Sequence, residues 1–136
     1  MIKKVHKKIL VIDDDPVTVR MLEKVLRRDR YEVIKALNGK TGLAKAKDEV
    51  PFLILLDVLM PDMNGMEVAR KLKGDLATKD IPIIFLTITI PLEKDKGRET
   101  INVDGTLYRA MAKPMHTAKL LSMIRKEINK RIHCNI

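Results

Sequence analysis

Phe52-Leu-Ile-Leu-Leu56 is five consecutive apolar residues, closed abruptly by Asp57. A run that short, apolar at every position, has no polar face to give to water. It reads as a strand buried on both sides. Related runs recur along the chain: Ile9-Leu-Val-Ile12 ahead of Asp13-Asp14-Asp15, Tyr31–Ala36, Ile81–Thr87 and the weaker Leu107–Met111. Between them, apolar residues fall at helical spacing. Thr18, Met21, Leu22, Val25 and Leu26 follow Pro16, which suits a first helical position with Asp15 as N-cap. Asn38-Gly39 marks a turn or helix start before a short helix over Leu43–Lys47. A third helix begins near Met66, after the turn chemistry of Pro61-Asp-Met-Asn-Gly65, and fades by Gly74. Thr117, Leu120, Leu121, Ile124, Ile128 and Ile132 mark a last helix. Doubly buried strands alternating with helices predict a parallel sheet covered by helices on both faces.

The 136 residues fit one domain, with a core over about residues 8–131 and short basic tails. The segment from Pro91 to Asp104 is the least readable, dense in charge and interrupted by Gly97. A helix there would be short, or partly loop. Several functions are excluded early. Aromatic residues are 3% of the chain and Trp is absent, which argues against a base-stacking platform. The lone Cys134 excludes an intrachain disulfide and a cysteine-built zinc site, and fits a reducing compartment. No apolar stretch is long enough to span a bilayer, and no signal-peptide core follows the basic start. The expectation is a cytoplasmic protein without membrane insertion. His6, His116 and His133 are scattered, and none reads as a ligand.

In a doubly wound sheet, ligands sit beyond the carboxyl ends of the strands. The residues closing the strands are Asp13, Asp14, Asp57, Thr87 and Lys113. Three carboxylates brought together repel, and a hard divalent cation with oxygen ligands, Mg²⁺, neutralises them. Lys113 supplies a further positive charge and Thr87 a hydroxyl. Together these groups suit phosphoryl transfer, with Asp57 as nucleophile. Taken singly, each has an ordinary reading: a helix cap, a strand threonine, a solvated lysine. The agreement of four strand ends favours the site.

At Ile9-Leu-Val-Ile-Asp-Asp-Asp-Pro16, Leu55-Leu-Asp-Val-Leu-Met-Pro-Asp-Met-Asn-Gly-Met66, Ile83-Ile-Phe-Leu-Thr87 and Lys113-Pro114, the chain resembles the receiver domains of two-component response regulators. The resemblance implies a flavodoxin-like fold of five parallel strands in the order 2-1-3-4-5, flanked by five helices. It implies Asp57 as phospho-acceptor and Asp13 and Asp14 as the acidic pair holding Mg²⁺, with the Leu59 backbone carbonyl as a further ligand. Thr87 would be the switch hydroxyl, Lys113 the charge partner, and Lys113-Pro114 a cis peptide. A sensor histidine kinase or histidine phosphotransfer protein would donate the phosphoryl group. The domain would act as a switch, not as a turnover enzyme.

Three departures from the family pattern stand out. The family usually has an aromatic three residues before the lysine, where this chain has Ala110; Tyr108 lies two residues further upstream, on the same strand face. The residue after the switch hydroxyl is usually small, and here it is Ile88, which could slow hydrolysis by narrowing access. Finally, 26 positions separate Thr87 from Lys113, so the fourth helix is expected to be altered and a standard dimer there is not assumed.

Lys plus Arg is 27 against 18 Asp plus Glu, a net charge of +9. The excess lies in Lys3, Lys4, Lys7 and Lys8, in Arg20, Lys24, Arg27, Arg28 and Arg30, and in Arg125, Lys126, Lys130 and Arg131. First and last helices are neighbours in this fold, so a basic face is expected, either merely solvated or docking an acidic kinase surface. Nucleic-acid binding lacks a recognition motif. No DNA-binding domain follows the last helix, and the ends read as native, so the expectation is a stand-alone regulator. Two rival readings remain. One is a phosphorylation-independent interaction module. The other is a haloacid-dehalogenase-type phosphatase, with Asp13 as nucleophile and Asp15 as acid.

Overall fold

The computed structural model describes residues 7–88, 93–95 and 98–134, with 93–95 and 131–134 described by their backbone. Strand β1 (Lys8–Ile12) leads into helix α1 (Pro16–Arg28), then β2 (Glu32–Ala36), α2 (Gly39–Glu49), β3 (Leu53–Asp57), α3 (Gly65–Lys73) and β4 (Ile83–Thr87). Three further strands follow, β5 (Glu93–Asp95), β6 (Arg98–Val103) and β7 (Thr106–Ala112), and helix α4 (Thr117–Cys134) closes the chain. One sheet holds all seven strands in the order β2-β1-β3-β4-β7-β6-β5. Its first five positions are parallel and follow the expected 2-1-3-4-5 order. Among the described residues no helix is long and apolar enough to cross a membrane.

Two apolar layers hold the sheet. On one face Val19, Leu22 and Leu26 of α1 and Leu120, Met123, Ile124 and Ile128 of α4 pack on Ile9, Val11, Leu55, Ile84 and Leu86. On the other, Ala46 of α2 and Val68, Ala69 and Leu72 of α3 pack on Leu10, Ile12, Ile54, Leu56 and Phe85. Alternate residues of each strand go to opposite layers, which is why the runs are apolar throughout. As expected, α1 and α4 are neighbours; Arg125 of α4 bonds Asp29, the C-cap of α1, at 3.1 Å. The expected contributions of Ile132 and of the basic residues Lys3 and Lys4 lie outside the described side chains.

The helix expected between β4 and the last parallel strand is corrected. The described residues hold four helices, and strands occupy that place. β6 pairs antiparallel with β7, and β5 antiparallel with β6. The cause is local. Thr100, Ile101 and Val103 are β-branched, and Ile101 and Val103 fall on one face of the strand, against the α3 layer. Asp104 and Gly105 both have positive φ, 52° and 90°, and form a two-residue hairpin turn. Asn102 Oδ1 accepts the Gly105 N–H at 2.8 Å. Arg70 of α3 reaches Asp104 at 2.7 Å and Lys73 donates to Thr106, so α3 is tied to this turn.

Helix α2 is longer than the short segment predicted. Gly42 in its middle weakens the sequence signal. A Cβ there would lie 2.5 Å from the Ile12 side chain, so glycine is what lets α2 rest on β1.

Candidate functional site

β1, β3 and β4 end level with one another, so Asp13, Asp57 and Thr87 emerge at one edge. β7 brings Lys113 beside them, its N–H bonded to the Thr87 carbonyl at 2.9 Å. The Lys113-Pro114 bond is cis. Asp13 and Asp57 are buried, and so is Thr87; Asp14 is exposed. One carboxylate oxygen from each of Asp13, Asp14 and Asp57 lies within 4.8 Å of the others. Lys113 Nζ stands 2.6 Å from Asp13 Oδ2 and 3.6 Å from Asp57 Oδ1.

The two buried carboxylates are held differently. Both oxygens of Asp13 are engaged: Oδ1 accepts the Asp15 N–H at 2.9 Å, and Oδ2 accepts from Lys113. Asp57 is less well served. Burial, and then the Asp13 charge, push its carboxyl up to about 6, and Lys113 only partly offsets them. Burial alone would lower the Lys113 ammonium, but the Asp13 hydrogen bond and the charges of Asp13 and Asp57 outweigh it, and its pKa is raised. A buried carboxylate short of positive charge, beside two others, suits a divalent cation with oxygen ligands.

The neighbouring loops are fixed by helix caps. Asp15 accepts from the Val17 N–H and the Thr18 hydroxyl at the start of α1. The Thr18 and Val17 bonds engage both its oxygens and hold its carboxyl below the usual range, as befits a helix cap. Asn38 caps α2 and Asn64 caps α3. Asp62, from the loop after β3, accepts the N–H groups of Gly39 and Lys40, both at 3.0 Å. These bonds hold its carboxyl below the usual range. This link between the Asp57 loop and α2 was not evident in the sequence, since its partners are 22 and 23 residues apart. Gly65 sits under the same loop: a Cβ there would meet the Asp57 carbonyl oxygen at 2.2 Å.

The departures take concrete form. Ala110 is buried opposite Phe85, in regular register. Tyr108 packs edge-on against Phe85, with ring centroids 5.5 Å apart at 85°. It therefore covers the same layer as Ala110, about 7 Å further from the Asp57 edge. Ile88 is 72% exposed, standing at the rim and not filling the site.

A family model for the response regulator receiver domain matches residues 9–125. The chain is 37% identical over 118 residues to the response regulator PleD of Caulobacter vibrioides, covering 87% of this chain but only 25% of PleD. It is 35% identical over 120 residues to the protein PilH of Pseudomonas aeruginosa, covering 86% of this chain and 93% of PilH. Among solved structures, the receiver domain of sensor histidine kinase PA1611 from P. aeruginosa, with a magnesium ion in its active-site cleft, is 25% identical. It superposes with a TM-score of 0.78 over 92% of this chain and 99% of that one.

Proposed function

This chain belongs to the response regulator receiver domain family, whose members are phosphoaccepting signalling switches, and from that premise we propose that Asp57 is its phospho-acceptor. The observation that carries the reading is the meeting of Asp13, Asp14 and Asp57 within 4.8 Å, with Lys113 reaching both buried carboxylates. Asp13, Asp14 and Asp57, together with the Leu59 backbone carbonyl, would hold Mg²⁺, as the magnesium-bound PA1611 receiver supports. Bound there, the ion supplies positive charge to the phosphoryl oxygens. An Asp57 carboxylate oxygen attacks phosphorus, and the bond from phosphorus to the donor's imidazole nitrogen breaks, with the electron pair leaving on the imidazole. The donor is a phosphohistidine on a sensor kinase or phosphotransfer protein; with a small acyl phosphate the bond broken is the one from phosphorus to the acyl oxygen, and a carboxylate leaves.

The chain's own groups then answer the new charge. The acyl phosphate places a dianion at a buried edge, and Lys113, already raised in pKa, is held charged to pair with it. The Thr87 hydroxyl turns to the phosphoryl oxygens, and the β4–β7 end of the sheet changes its surface. Water hydrolysis of the acyl phosphate resets the switch, so the domain is a signalling device and not a turnover enzyme. We read residues 1–136 as one receiver domain acting in the cytoplasm.

Intact mass after incubation with an acyl phosphate and Mg²⁺, beside Asp57→Asn, tests this. A single phosphoryl adduct that needs Mg²⁺ and is absent in Asp57→Asn is expected. Absence of any adduct would favour a phosphorylation-independent module. An adduct kept in Asp57→Asn but lost in Asp13→Asn would favour a phosphatase.

A further inference from the structure

Far from the Asp57 edge, one buried donor has no acceptor. Arg109 Nε is hidden from solvent and bonds nothing. Buried donors are rarely left so, and each needs an explanation. Arg109 lies on β7 opposite Thr100 of β6. It lines a cavity of about 210 Å³ together with Arg98, Thr100, Leu107, Glu127 and Lys130. The cavity reaches Pro82, just before β4, and so opens at the end of the sheet opposite Asp57. It exists because strands stand where a helix was expected: Arg98 and Thr100 come from β6, and Glu127 and Lys130 from α4.

Three cations thus share a small space with one carboxylate. Glu127 is linked to Lys130 at 3.5 Å. Among the described residues, Arg98 and Arg109 have no carboxylate within ion-pair distance. Two guanidinium groups with no ion-pair partner among the described residues, one with a desolvated N–H, form a cradle for an oxyanion. The planar fork of arginine matches phosphate oxygens bidentately. The space takes a phosphoryl group and a few atoms beyond it. We propose that this cavity binds a small phosphate-bearing molecule. Arg109 and Arg98 hold the phosphate oxygens and Lys130 adds charge at the rim.

The test is an amide NMR titration of the whole chain in EDTA, with inorganic phosphate, ribose 5-phosphate and AMP as separate probes. Saturable shifts are expected at Arg98–Ile101 and Leu107–Arg109, without shifts at Asp57. The probe that binds tightest shows whether a free phosphate or an ester is preferred. Arg98 is exposed, so Arg98→Gln leaves the fold intact, and it should weaken binding about tenfold. Arg109→Gln should do at least as much. Lys79→Gln, on an exposed loop elsewhere, should change nothing. No saturable shift with any probe overturns the proposal. So does binding untouched by Arg98→Gln, or weakened equally by Lys79→Gln, the mark of unspecific charge attraction.

Discussion

Asp57 is held in tension between burial and charge, and that tension can be measured. Its folded pKa of about 6 lies above the ordinary 3.8, so folding favours the protonated form. The folded state then binds more protons than the unfolded one between these values, and stability attributable to Asp57 falls as pH rises through that window. Asp57→Asn removes the penalty. In EDTA it should be more stable than the parent above about pH 7, by up to about 3 kcal/mol, and the gap should close below about pH 4. Urea unfolding of both proteins across this range checks the difference; an equal pH profile would show that Asp57 is not strained. Mg²⁺ should stabilise the parent more than the variant. Gly65 is a second pressure point. Gly65→Ala drives a methyl group into the Asp57 carbonyl oxygen, which is backbone and has no freedom to withdraw. A loss of about 2–3 kcal/mol is expected, read as a lower urea midpoint with unchanged slope.

Among the elements, the β6–β7 hairpin stands where the family resemblance implied a helix. Its turn rests on two residues with positive φ, and a Cβ at Gly105 would meet nothing within 4 Å. Gly105→Ala therefore carries only a backbone cost, about 1 kcal/mol. Hydrogen exchange should quicken in β6 and β7 while β1 and β3 keep their protection. Uniform quickening would mean that the hairpin is inseparable from the parallel core. The hairpin was legible in principle, because Asp104-Gly105 between β-branched residues is a strong turn signal. It was masked by the charged segment before it and by the expectation of a fourth helix. Ile88 makes a further prediction. At 72% exposure it contributes little to the core, so Ile88→Ala should alter stability by less than about 0.5 kcal/mol. Its acyl-phosphate lifetime should nonetheless shorten, since a bulky rim residue is removed; an unchanged half-life would free Ile88 of that role.

On the scale of the whole molecule, the net charge of +9 is distributed unevenly. Arg20, Lys24, Arg27 and Arg28 on α1 and Arg125, Lys126 and Lys130 on α4 are exposed, and the two helices adjoin. This field should draw anionic phosphodonors. The initial rate of Asp57 phosphorylation by an acyl phosphate should fall as NaCl rises from about 0.05 to 0.5 M, as the Debye length shrinks. A salt-independent rate would make the basic face a solvated surface only. The edge beyond the hairpin differs in character. β5 consists of Glu93, Lys94 and Asp95, and a charged edge strand resists pairing with further strands.

The parallel core was legible along the chain, because strands buried on both faces must be apolar at every position and that pattern is local. So were the residues that close the strands, since Asp13, Asp57, Thr87 and Lys113 stand at the ends of those runs. How these groups share charge came from the folded chain alone: Asp13 bonded at both oxygens, Asp57 pushed up, Lys113 between them. Those balances depend on distances across strands up to 100 residues apart. Only the tertiary structure, too, placed Tyr108 against Phe85, tied Asp62 to α2 and gathered Arg98, Arg109 and Lys130 around one cavity. Each is a contact between elements, and no spacing along the chain encodes it.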